Sequence, residues 1–259
     1  MHLTWKQTPI EDDIEFILWI LNSDMGNWWK KRLFEKYPEI DHEHYDALPA
    51  SERDKYISDK LHAIAPARAT IIADKIKAQN EYWTQNHKKL NDAFSDAFGC
   101  DVSKILNNIT GRIGLDPICP RNIGASSFDM FYEYSADYMN ETAVHEMTHF
   151  VWFHIWHEHF NDNPAEYDSP HIKWILSEMV VDVIVRNSAL VRFFGDLDKK
   201  RDIVYSYFYD MEVAGRPILE TLADMYRSAD DITNFMETAY KYVCENEPEL
   251  RAKIAAAEK

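Results

Sequence analysis

The chain has 259 residues, 46% of them hydrophobic, and a formal net charge of −16. That length and apolar content suffice for a sizeable core, in one large domain or two small ones. The charge repels nucleic acid and anionic membranes, which excludes both as principal partners. Cys100, Cys119 and Cys244 are too few and too scattered for a disulfide framework, and no run reaches the length of a membrane span. With no leader-like pattern in the first residues, the expected location is cytoplasmic.

In chain order, Thr8-Pro9-Ile10-Glu11 reads as a capping box with a first-turn proline. It opens a helix through Ile14, Ile17, Leu18 and Leu21 that Asn22 to Gly26 ends. Trp28, Trp29, Leu33 and Phe34 predict a further helix, and Glu39 to Asp46 a connection. An uninterrupted helical pattern runs from about Ala67 to Phe98, with Gly99 as C-cap. Val102 to Leu115, containing Gly111 and Gly114, supplies one or two strands. Ala125 to Tyr134 alternates, with Phe128, Met130, Tyr132 and Tyr134 at period two, and reads as another strand.

From Glu141 to Phe160 there is no Gly or Pro, and Ser135, Asp137 and Asn140 offer starting caps. Ala143, Val144, Met147, Phe150, Val151, Ile155 and Trp156 recur at the helical period, which predicts one apolar face. Ser169-Pro170 reads as the N-cap and first-turn proline of a second helix through His171, Trp174, Glu178 and Asp182 to about Leu190. Beyond Gly195 the chain returns to helices, punctuated at Pro217 and Pro248. The expected class is α+β, predominantly helical.

The chemistry lies in His145-Glu146-Met147-Thr148-His149. On a helix, residues four apart share a face, so the two imidazoles can grip one metal ion while Glu146 stays beside it to accept a proton from water. A catalytic zinc takes a third protein ligand. The extended pattern with Gly and a third His is absent, because Trp152 and Ile155 hold those places. On the second helix Glu178 and Asp182 lie one turn apart, and His171 shares their face two turns earlier.

Together, HEMTH and the downstream Ser177-Glu178-Met179-Val180-Val181-Asp182 resemble the gluzincin branch of the zincin metallopeptidases, over about Phe128 to Leu190. The resemblance implies Zn2+ held by His145, His149 and Glu178, with Glu146 as general base and acid. It implies that Asp182 hydrogen-bonds the far nitrogen of a ligand imidazole. It further implies a zincin-like small sheet packed on the active helix, whose edge strand, here Ala125 to Tyr134, pairs with extended peptide. The chain then divides into a helical region 1–100, a zincin catalytic core 101–195 and a helical region 196–259, expected to form one compact catalytic unit. Zincins stabilise the oxyanion with Tyr, His or Arg, and the candidates are His171, Tyr167, Tyr205, Tyr207 and Tyr209, with His171 preferred for its face. His154, His157 and His159, and the pair His42 and His44, are expected to be ordinary surface or core residues.

The expected function is therefore zinc-dependent hydrolysis of peptide bonds in a peptide or protein substrate. Two alternatives share the motif: a non-catalytic zinc-binding or protein-interaction module, and a zinc hydrolase acting on a non-peptide substrate.

Overall fold

A computed structural model describes residues 2–23, 27–195 and 203–257. The chain forms two compact units. One comprises Leu3–Gln85 and Asn108–Met139, the other Met1–His2, Asn86–Asn107 and Asn140–Lys259.

The first unit opens on a strand that the sequence pattern did not suggest, β1 (Leu3–Gln7). There follow α1 (Ile10–Asn22), α2 (Asn27–Lys36), α3 (His42–Ala47), the long α4 (Ala50–Phe98), whose residues from Asn86 onward belong to the other unit, β2 (Ile109–Gly114), β3 (Arg121–Asn122) and β4 (Ser127–Phe131). The four strands make one mixed sheet in the order β1-β2-β4-β3, with β1, β2 and β4 mutually parallel and β3 antiparallel to β4. Leu3 faces Ile109 in register, and Thr110 faces Ser127. The outer edge of β1 is blocked by Asn80 of α4, whose side-chain amide bonds both the N–H and the carbonyl of Trp5.

Several expectations are corrected in this unit. The capping box is absent: Pro9 occupies the N-cap of α1 without a side-chain bond, because the Thr8 backbone continues the strand and its N–H donates to the Ile113 carbonyl. Asp24 to Gly26, expected to end that helix, lie outside the described residues; Ser23 is its C-cap. The connection Glu39 to Asp46 contains α3, capped by Asp41, whose carboxylate accepts from the His44 N–H at 3.0 Å. Helix α4 begins well before Ala67. Ile57, Leu61, Ile64 and Ile72 are buried and carry one apolar stripe across Pro66, outweighing the proline's lost hydrogen bond. It stops where expected, at Gly99 with φ +64°.

Strand β4 is not an edge strand. Ser127 and Phe128 pair with β3, the Asp129 N–H donates to the Pro120 carbonyl, and Phe128 to Phe131 are buried on both faces. Extended peptide therefore finds no free edge along Ser127 to Asp129. At the end of β2, a Cβ on Gly114 would lie 2.4 Å from the Asp13 carboxylate. Glycine there lets Asp13 accept the N–H groups of Leu115 and Asp116 at 3.0 and 3.2 Å. Burial nonetheless pushes Asp13 up to about 7 and Asp116 well above the ordinary carboxylate range.

In the second unit, α5 (Ala136–Phe160) carries HEMTH. Its start is set by Ser135, whose hydroxyl accepts from the Tyr138 N–H at 3.2 Å. The single apolar face expected of it is not found. Val151, Trp152 and Phe153 are all buried, so the helix is enclosed on every side over its central turns. Next, α6 (Ile172–Arg186) starts later than expected. The Ser169-Pro170 bond is cis and precedes it, and His171 holds the N-cap without a capping bond. Leu190 falls outside it, in a 3-10 turn at Ala189–Phe193.

A two-residue hairpin, β5 (Glu212–Val213) and β6 (Arg216–Pro217), turns at Ala214 and Gly215, both at positive φ. Helices α7 (Ile218–Ser228), α8 (Ile232–Glu245) and α9 (Glu247–Ala257) complete the chain. The core is aromatic: Trp152 meets Phe235 at 5.8 Å, Trp156 meets Tyr240 at 5.1 Å, and Phe153 stacks on Tyr167 at 4.4 Å. The fold is α+β and predominantly helical, with one small mixed sheet. Among the described residues no helix is long and apolar enough to cross a membrane.

Candidate metal centre

Helix α5 places His145 and His149 one turn apart, with their Nε2 atoms 3.0 Å from each other. Helix α6 brings Glu178 against both rings, Oε2 at 3.7 Å from His145 Nε2 and Oε1 at 3.5 Å from His149 Nε2. For bonds of 2.0–2.1 Å, two ligands of a tetrahedral zinc lie about 3.3 Å apart. The two imidazole nitrogens thus stand at about that spacing, and each has a different oxygen of the Glu178 carboxylate at 3.5–3.7 Å, a donor set that could hold such an ion. Glu146 lies 4.0 Å from His145 Nε2, and with His145 and His149 it forms a group that could itself hold a metal ion. Glu178 and Glu146 thus both border the two imidazoles.

The setting fixes these groups. The His145 Nδ1–H donates to the Ile203 carbonyl at 2.8 Å. A carbonyl only accepts, so this bond puts the proton on Nδ1 and leaves the Nε2 lone pair for a metal. His149 is fully buried, with its ring parallel to Phe153. The side chains of Glu146 and Glu178 are 8% and 9% exposed and that of His145 15%, so solvent reaches the cluster chiefly past His145.

Asp182, one turn beyond Glu178, has two partners other than His145. Its Oδ1 accepts from Arg186 Nε and from the Tyr209 hydroxyl, each at 2.8 Å. For His145 the far-nitrogen partner is the Ile203 carbonyl. Burial, reinforced by the Asp182 charge, pushes the Tyr209 hydroxyl up to about 12, so it remains a donor at neutral pH.

Comparison of the chain with known protein families, curated proteins and solved structures returns no match. Its side-chain geometry alone carries the reading.

The structure brings His145, Glu146, His149 and Glu178 together. His171 is exposed in extended backbone ahead of α6, so the face-sharing argument, which assumed helix at that residue, does not apply. Among the tyrosine candidates, Tyr167 donates to Asp162 and stacks on Phe153, Tyr209 donates to Asp182, and Tyr205 and Tyr207 stack on each other. The other histidines form ordinary contacts, His154 with Glu158, His157 with Tyr167 and His159 with Glu237. Sequence reasoning missed Ile203 and Arg186. Arg186 stands four residues after Asp182, a spacing that could have revealed the pair. Ile203 acts through its backbone, which no residue type announces.

Proposed function

We propose that the chain is a zinc-dependent peptidase of gluzincin type. The observation that carries this reading is the mutual approach of His145, His149 and Glu178 to within 3.0–3.7 Å, with Glu146 at their side. When bound, zinc would polarise the scissile carbonyl and lower the pKa of a water to about 7.

The chain's own groups do the rest. Glu146 accepts the proton of the attacking water and passes it to the departing amine. The Ile203 carbonyl orients His145, and the Tyr209 and Arg186 donors hold Asp182 beside the carboxylate-bearing turn. Burial of the cluster limits bulk water around the reacting groups. With a net charge of −16, nucleic acid is disfavoured, and the substrate is a peptide or protein.

Metal analysis of protein purified without added zinc, paired with hydrolysis of a peptide library, tests the proposal. About one zinc per chain and cleavage abolished by chelation are expected. Zinc below a tenth of an equivalent after reconstitution would remove the reading. Stoichiometric zinc without cleavage of any peptide would remove the peptidase and leave a metal-binding protein.

A further inference from the structure

Helix α1 begins beside an open cleft of about 480 Å3 that it shares with α4. Pro9 and Ile10 line it from one side and Ala65, Pro66 and Ala69 from the other, so its walls are apolar and short. All of these residues belong to the first unit. Thr8 also lines the cleft; it is only 2% exposed, and its hydroxyl has no hydrogen-bond partner. Buried hydroxyls are nearly always paired, because an unpaired one forfeits its bond to water and gains nothing. The backbone adds donors at the same place. The first N–H groups of a helix have no partner within it, Pro9 at the N-cap offers no side-chain acceptor, and the Pro9 carbonyl accepts from Asp12 and Asp13. The N–H groups of Ile10 and Glu11 are left as donors.

Charge narrows the ligand. Glu11, Asp12 and Asp13 occupy the first turn of α1 and oppose an anion there. His62, also on the lining, opposes a cation: its Nδ1–H donates to the Ser58 carbonyl at 2.9 Å, its Nε2 meets Glu11 at 3.2 Å, and both contacts favour the protonated ring. The complement of apolar walls with O–H and N–H donors at one end is an uncharged acceptor carried on a ring. We propose that this cleft binds a small neutral ring compound through its carbonyl oxygen, which accepts from the Thr8 hydroxyl and from the N–H groups of Ile10 and Glu11. The site shares no residue with the metal cluster, so it goes beyond the peptidase reading and does not depend on it.

Acetophenone, benzoate, benzylamine and toluene share a ring and differ in what it carries: a neutral carbonyl, an anion, a cation and no polar group. Each is titrated into the full isotope-labelled chain and followed by amide NMR. Acetophenone should shift the amides of Thr8, Ile10 and Glu11 and bind about tenfold more tightly than the other three. Thr8→Val removes the unpaired hydroxyl at nearly constant shape, so it should weaken acetophenone about tenfold while the melting temperature stays level or rises. Ala69→Trp fills the cleft from an exposed position on α4 and should abolish binding with the helical circular dichroism kept. Absence of those amide shifts, equal affinity for all four compounds, or undiminished binding in either folded variant would overturn the site.

Discussion

Zinc should stabilise this chain through three side chains supplied by two helices. Any ligand that binds only the folded state adds RT ln(1 + [L]/Kd), about 2.7 kcal/mol when free zinc stands at a hundred times its Kd. For a protein of this size each kcal/mol moves the midpoint by about 2–4 °C, so zinc added to stripped protein should raise the melting temperature by roughly 5–10 °C. The two imidazoles and the Glu178 carboxylate already approach one another at 3.0–3.7 Å, so little of the binding free energy is needed to assemble them. His145→Ala removes one nitrogen and should erase the shift. Glu178→Gln removes charge and a direct bond and should reduce it more than Asp182→Asn, because Asp182 acts through neighbouring groups. The assay is differential scanning fluorimetry across a zinc titration, with bound metal counted in parallel. A parent chain whose melting temperature ignores zinc, or a His145→Ala chain that gains as much, refutes the reasoning.

Glu146→Gln should keep its zinc and its fold yet lose at least about two orders of magnitude in turnover, the usual scale of general acid-base assistance; full activity would clear Glu146 of the role. Tyr209→Phe removes one hydrogen bond to a carboxylate that keeps Arg186, so thermal unfolding should show a loss of about 1.5 kcal/mol, and an unchanged midpoint would show that the bond is idle. Asp13 has its folded-state pKa raised to about 7 from 3.8, so the folded chain holds a proton that the unfolded chain releases. Its contribution is full below about pH 4 and is lost as pH rises through 7, on the order of a few kcal/mol. Urea unfolding from pH 5 to 9 should show stability falling with pH, less steeply in Asp13→Asn; a flat parent profile would contradict it.

The HEMTH turn could be read because four-residue spacing on a helix fixes geometry whatever surrounds it, and Ser135 marks where that helix begins. Glu178 could be read for the same reason once α6 was recognised. What escaped depended on distant partners. Strand β1 is five residues with a Lys and a Gln, and only β2, about a hundred residues away, makes it a strand. His171 was misplaced because α6 starts only at Ile172, leaving His171 in extended backbone as its N-cap. The choice of partners for Asp182 turns on Tyr209, which stands 27 residues away in the chain. Alternation in β4 concealed that both of its faces are covered.

The discontinuity of the second unit bears on how the chain is made. Residues Leu3–Gln85 and Asn108–Met139 are all synthesised by residue 139, so the first unit can complete itself while the rest is still being translated. The stretch Asn86–Asn107 belongs to the other unit, and its buried Leu90, Phe94 and Phe98 wait for partners that begin at Asn140. At about 5–20 residues per second that wait lasts several seconds or more, with apolar side chains exposed to the cell. A fragment starting at Asn140 would carry every residue of the metal cluster and still lack this part of its core. Excising the site at that boundary should therefore give aggregation rather than a minimal enzyme.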